Sequence, residues 1–195
     1  MGRSGKIYAA LTLGLLPIAG LADFDPDAYP RHETCALCHG LFGVSHNAKF
    51  PHLGGQNPYY IEAQLRAFLA GTRQNDGGQM AAIVTELQPG DIEQVVGWFS
   101  SQDPPDPEPL PEGNKGAARI EALGCASCHG SAPPEDGVPY LTAQHSGYLA
   151  KQMADFRDGR RDAHLTAAMH RDQLQLTDAD IKEIADFLAA QPRQK

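Results

Sequence analysis

Apolar residues along this chain fall into short stripes at helical spacing, and each stripe occurs twice. Ile92, Val95, Val96 and Phe99 stand at i, i+3, i+4 and i+7, and Ile181, Ile184, Ala185 and Leu188 repeat that spacing. Ile61, Leu65 and Phe68 share one helical face, matched by Leu149, Met153 and Phe156. Gly71 and Gly159 follow these stripes as helix stops. Thr177 with Asp180 three residues on has the form of a capping box, and Pro89 marks a helix start in the other copy. No stretch alternates apolar and polar with the period of a strand. The pattern predicts an all-α protein.

The pairing of stripes is part of a longer internal repeat. Pro51–Arg73 aligns with Pro139–Arg161, matching Pro51/Pro139, Leu53/Leu141, Gln56/Gln144, Tyr60/Tyr148, Gln64/Gln152, Phe68/Phe156, Gly71/Gly159 and Arg73/Arg161. Further on, Met80/Met169, Leu87/Leu176, Asp91/Asp180 and Ile92/Ile181 match with one residue of drift, as small loop insertions produce. One domain has been duplicated. Residues 103–112, "DPPDPEPLPE", are proline-rich and acidic and read as a semi-rigid linker. The expected organisation is a first domain at 23–102 and a second at 113–195.

Residues 1–22 read as an export signal. Arg3 and Lys6 precede an apolar run from Ile7 to Ala22, and Gly20 with Ala22 forms a small-x-small cleavage site. The run is short for a membrane span and Pro17 interrupts it. A retained anchor is the alternative, which leaves loose membrane association open. The expectation is a protein outside the cytoplasm. The formal charge of −8 becomes more negative by two on loss of that segment. Such a balance disfavours nucleic acid, whose phosphates would repel it. It suits steering onto basic protein surfaces, or simple solubility. Domains of roughly 80 residues with few aromatics have difficulty filling a core. A metal, disulfides or a large cofactor is expected to help.

All four cysteines lie in "CALCHG" (Cys35–Gly40) and "CASCHG" (Cys125–Gly130). Exported cysteines commonly pair as disulfides. A C-x-x-C pair also occurs as a redox motif in a βαβ setting, and two pairs can bind zinc when they lie closer together. The histidine following each pair separates these readings. Cys35-x-x-Cys38-His39 and Cys125-x-x-Cys128-His129 have the attachment spacing of c-type haem, in which two thiols add to the vinyl groups and the histidine reaches the iron. The sequence therefore predicts two covalent haem c groups.

Each iron then needs a second axial ligand. An open position binds small molecules; a methionine closes it and raises the potential. Met80 is the one methionine of the first domain, and Met169 is its match in the second. Met153 aligns with Leu65 and reads as core. His46, His52, His145, His164 and His170 lack partners in the other copy, with His170 beside Met169 as the possible competitor.

The C-x-x-C-H motif, the Pro-x-Leu-x-x-Gln segment, the Phe-x-x-Gly-x-Arg helix end, a methionine and an Asp-Ile amphipathic helix resemble a class I cytochrome c domain. Two such domains in tandem behind a signal resemble the dihaem cytochrome c4 family, over nearly the whole mature chain. The resemblance implies a periplasmic carrier passing single electrons from a quinol-oxidising complex or dehydrogenase to a terminal oxidase or reductase. It implies Cys35, Cys38, Cys125 and Cys128 as haem attachments and His39, Met80, His129 and Met169 as iron ligands. It also implies a two-fold-like pairing of domains with haem edges close together. The carbonyls of Pro51 and Pro139 would hold the ligand histidines, and Arg73 and Arg161 would face haem propionates or solvent. No small-molecule substrate is expected. The competing class is a haem enzyme such as a dihaem peroxidase, which needs one open or displaceable ligand. A third reading, a dedicated cytochrome subunit of a dehydrogenase, differs from the carrier in its partner.

Overall fold

The computed structural model describes residues 1–2, 30–129, 137–161 and 175–193. Among the described residues all regular structure is helical, and none of these helices is long and apolar enough to cross a membrane. The first half holds α1 (Arg31–His39), α2 (Pro58–Leu69), α3 (Gln79–Val84) and α4 (Asp91–Ser101). The second holds α5 (Gly116–Leu123), α6 (Ala126–His129), α7 (Ser146–Arg157) and α8 (Asp178–Ala189).

Local chemistry starts these helices where the sequence places them. The Asn57 side chain accepts from the backbone N–H of Tyr59 and Tyr60 at the head of α2, with Pro58 in the first turn. The Thr177–Asp180 capping box opens α8. Each apolar stripe buries into the core of its own half. Ile61, Leu65, Phe68, Val84, Val95, Val96 and Phe99 form one cluster, with α2 and α1 packed on α4. Ile120, Leu149, Leu176, Ile181, Ile184, Ala185 and Leu188 form the other, with α5 and α7 packed on α8. Met153 packs against this second cluster, in keeping with its alignment to Leu65.

The two halves differ in the segment bearing the cysteines. In the first, α1 runs unbroken through Cys35, Cys38 and His39. In the second, Gly124 takes φ +67° and divides the same stretch into α5 and α6. Residues 103–112 form no helix, but they are tied down. Glu108 N–H donates to the Ala189 carbonyl, and its carboxylate accepts from Ser146 N–H at 3.3 Å and from His145 Nδ1 at 3.0 Å. Glu108 thus supplies the acceptor that His145, the residue preceding α7, does not itself supply to the helix N-terminus.

The halves meet through polar groups arranged reciprocally. The Gln56 side chain donates to Tyr140 O and accepts from Tyr140 N, at 2.9 and 2.8 Å. Gln144, its repeat partner, makes the same pair with His52 O and N, at 2.9 and 2.8 Å. Arg73 donates to Gln64, Tyr148 and Gln152, while Arg161 donates to Gln152, Tyr60 and Gln64. Residue i of one half meets residue j of the other, and j meets i, which is the signature of a pseudo-two-fold contact. His52 and His145 add a stacked pair at this boundary, ring centroids 3.8 Å apart.

Candidate functional site

Helix α1 places Cys35 half-buried and Cys38 exposed, one turn apart, with His39 in its last turn. Gly40 ends the helix at φ +78°, and a Cβ there would lie 2.2 Å from the Val44 carbonyl oxygen. A glycine is needed for the chain to reverse this tightly behind the histidine. The return brings Pro51 back, and its carbonyl accepts from His39 Nδ1 at 2.8 Å. His129 makes the equivalent bond to Pro139 O at 3.0 Å. A carbonyl only accepts, so each Nδ1 carries the proton and each Nε2 is the lone-pair nitrogen. Burial, opposed by the proline carbonyl, pushes both histidines below their ordinary range and favours the neutral ring. A neutral imidazole with a fixed tautomer is the form that binds a metal.

All four thiols are free. Burial pushes the Cys35 thiol up to about 11, and raises Cys125 as well. A C-x-x-C redox centre requires the opposite, a thiol lowered toward thiolate. The absence of a βαβ setting among the described residues and the histidine held beside each pair fit the attachment reading. Cys-x-x-Cys on one helical turn with a proton-fixed histidine beside it is a donor set that suits haem c in each half.

Met80 opens α3 and packs, half-buried, on the same core cluster as Cys35. A small pocket lined by Arg31, Thr34, Cys35, Ile83, Glu86 and Leu87 separates α1 from α3. The sequence Asn75-Asp76-Gly77-Gly78 leads into α3, with Gly77 and Gly78 at φ +74° and +84°. Asp76 accepts from Gly78 N–H at 3.1 Å and from Met80 N–H, so its carboxylate fixes the methionine's backbone. Met169, His164 and His170 lie outside the described residues, as does the expected export signal beyond its first two residues.

Arg73 and Arg161 are neither solvated nor at a helix end in isolation. Both are buried, each guanidinium lies over the phenylalanine of its own half at 4.5 and 4.6 Å, and both bond across the domain boundary. Among the described residues neither pairs with a carboxylate. His52 and His145, which the repeat left unmatched, are boundary residues rather than solvent-facing ones. The boundary itself did have a signal in the sequence. Gln56, Tyr60, Gln64 and Arg73 are polar positions retained in both copies, and Tyr60 and Gln64 share a face of α2. A further feature is an exposed apolar group beside the first motif. Leu37, Leu41 and Phe42 face outward, and Trp98 stacks on His32 at 4.0 Å while donating to Leu41 O. The second motif has Ser127 at the place of Leu37.

Comparison with known proteins gives a consistent picture. Residues 114–191 match the family model described as cytochrome c. The chain is 32% identical to a thiosulfate dehydrogenase electron acceptor of Thiomonas intermedia, over 96% of this chain and 91% of that protein. It is 30% identical to a cytochrome c4 of Pseudomonas aeruginosa, over 91% of this chain and 94% of that one. The fold is similar to the crystal structure of reduced recombinant cytochrome c4 from Pseudomonas stutzeri, with a TM-score of 0.71 and 27% identity, covering 85% of this chain and 98% of the other.

Proposed function

Because this chain belongs to the cytochrome c4 family of dihaem electron-transfer proteins, with two covalently bound haem c groups, we propose that it carries single electrons between redox proteins and catalyses no reaction of its own. In this reading Cys35 and Cys38 hold one haem and Cys125 and Cys128 the other. His39 and Met80 would ligate the first iron, and His129 and Met169 the second. The haems supply a one-electron Fe(III)/Fe(II) couple, which methionine opposite histidine tunes to positive potential. Pro51 and Pro139 hold the ligand rings in one tautomer and tilt, which supports fast exchange by keeping the surroundings alike in both oxidation states. Arg73 and Arg161, two buried cations at the boundary, offer countercharge to the haem propionates. Leu37, Leu41 and Phe42 give a partner an apolar landing surface next to the first attachment motif.

The observation that carries the proposal is the pair of Nδ1-to-proline bonds, which prepares both histidines in the same way for a metal. A periplasmic location follows from the export signal read at 1–22 together with the family. The donor is a quinol-oxidising complex or a dehydrogenase and the acceptor a terminal oxidase or reductase. The similarity to a thiosulfate dehydrogenase electron acceptor favours a second, narrower reading in which a sulfur-compound dehydrogenase is the donor.

Met80→Ala and Met169→Ala test the ligand assignment. Each is expected to lower the potential of one haem, leave the other unchanged, and open the altered iron to carbon monoxide. A variant that retains its potential and stays closed to the gas would remove that methionine from the assignment.

A further inference from the structure

The loop leading into Met80 is held by the other domain. Asn75 Nδ2 donates to Gln152 Oε1 at 2.9 Å and to Asp155 Oδ2 at 2.7 Å, both on α7. Lys151, on the same helix, donates to the Asn75 carbonyl at 2.6 Å. Arg73 donates to Asn75 Oδ1 at 3.1 Å from the near side. Asp155 is 3% exposed and is fixed in turn by Lys151 and Arg160. Asn75 is therefore anchored to a rigid, buried point of the second domain.

The next residue, Asp76, holds the backbone of Gly78 and of Met80. Two adjacent residues thus join α7 of one domain to the main chain of the methionine in the other. Gly77 and Gly78, both left-handed, make the turn between them possible. The sequences of the two methionine loops differ: Gly77-Gly78-Gln79 precedes Met80, whereas Leu165-Thr166-Ala167-Ala168 precedes Met169.

We propose that α7 of the second domain acts through Asn75 and Asp76 to set the position of Met80, so that the second domain governs the thioether that would ligate the first haem. This rests on the reading of Met80 as an iron ligand. Asn75, Asp76 and Asp155 are positioning residues. A methionine held on two sides has a single approach to the iron. Released from α7, the loop gains alternatives, and competing ligands displace the thioether more readily.

The test uses the full-length, haem-loaded protein with the substitutions Asn75→Ala and Asp155→Ala. The first readout is the proton resonance of each haem-bound methionine methyl in the reduced protein, assigned to a haem by its loss in Met80→Ala or Met169→Ala. The second is the affinity of each oxidised haem for added imidazole. Both variants are expected to raise imidazole affinity at the first haem by about tenfold, the worth of one charge-assisted hydrogen bond. The second haem is expected to be unchanged, although Asp155 belongs to its own domain. Asp76→Asn, which keeps an acceptor oxygen, is expected to fall between wild type and Asp76→Ala. Unchanged affinity at the first haem with an intact Met80 signal would overturn the proposal. Equal increases at both haems would also overturn it, since they would mean a general loosening of the boundary. A wild-type protein lacking the Met80 signal would show that the ligand reading itself had failed.

Discussion

At the scale of single residues, the structure turns on donors and acceptors that have one available role. The His39 and His129 tautomers are fixed because a proline carbonyl can only accept. The attachment motif was legible because Cys35, Cys38 and His39 lie together in sequence, whereas the proline acceptor was expected only from the resemblance to class I cytochrome c domains. His52 was not legible, because the groups that determine its behaviour come from distant parts of the chain. Its Nδ1 accepts from Ser45 N–H, and its ring stacks on His145, 93 positions further on. Burial, then the nearby charges of His145, Arg193, His46 and His39, push it down to about 3. The unfolded chain's histidine binds a proton near 6.5, whereas the folded one waits until about 3. Its contribution to stability is therefore complete above about pH 6.5 and is lost as pH falls from 6.5 toward 3. Denaturant titrations of wild type and His52→Gln across that window check this. The variant is expected to lose stability less steeply, by up to one proton or about 1.4 kcal/mol per pH unit. Parallel slopes would show that His52 does not titrate between the two states.

At the scale of elements, the helices with apolar stripes formed where their periodicity placed them, because each stripe had a core to enter. Phe99 is wholly buried and closes the stripe of α4 against α2. Phe99→Ala is expected to cost about 3–5 kcal/mol in a denaturant titration, through lost burial and the cavity left behind. A cost below 1 kcal/mol would mean that the α2–α4 core collapses around the gap. The break between α5 and α6 has no counterpart in the first half. Gly124 takes a left-handed conformation where the first half has Thr34 within the unbroken α1. The residues 103–112 also gained a role that composition could not disclose. Proline content predicts an extended segment, while the cap that Glu108 provides to α7 depends on where that segment lies.

At the scale of the molecule, the duplication was plain from matched positions, but the retained polar positions did not reveal their partners, because the bonded pairs across the boundary lie 75 to 139 residues apart. Gln56 and Gln144 each satisfy a backbone N–H and a carbonyl of the opposite domain, the Gln144 pair in buried and the Gln56 pair in half-buried surroundings. Removing both leaves four polar groups to be rehydrated, at about 1–3 kcal/mol for each orphaned pair. The double variant Gln56→Ala/Gln144→Ala is expected to unfold in two separated steps where the wild type unfolds in one. A single step at unchanged denaturant concentration would mean that the boundary holds without these amides. The central claim is that both irons are closed by a histidine and a methionine, and a spectroscopic redox titration with and without carbon monoxide tests it most directly. The account predicts two covalent haems, both at positive potential and both inert to the gas. One haem at low potential that binds carbon monoxide would contradict it and would mean an open or histidine-ligated site, with peroxide turnover the activity to test next.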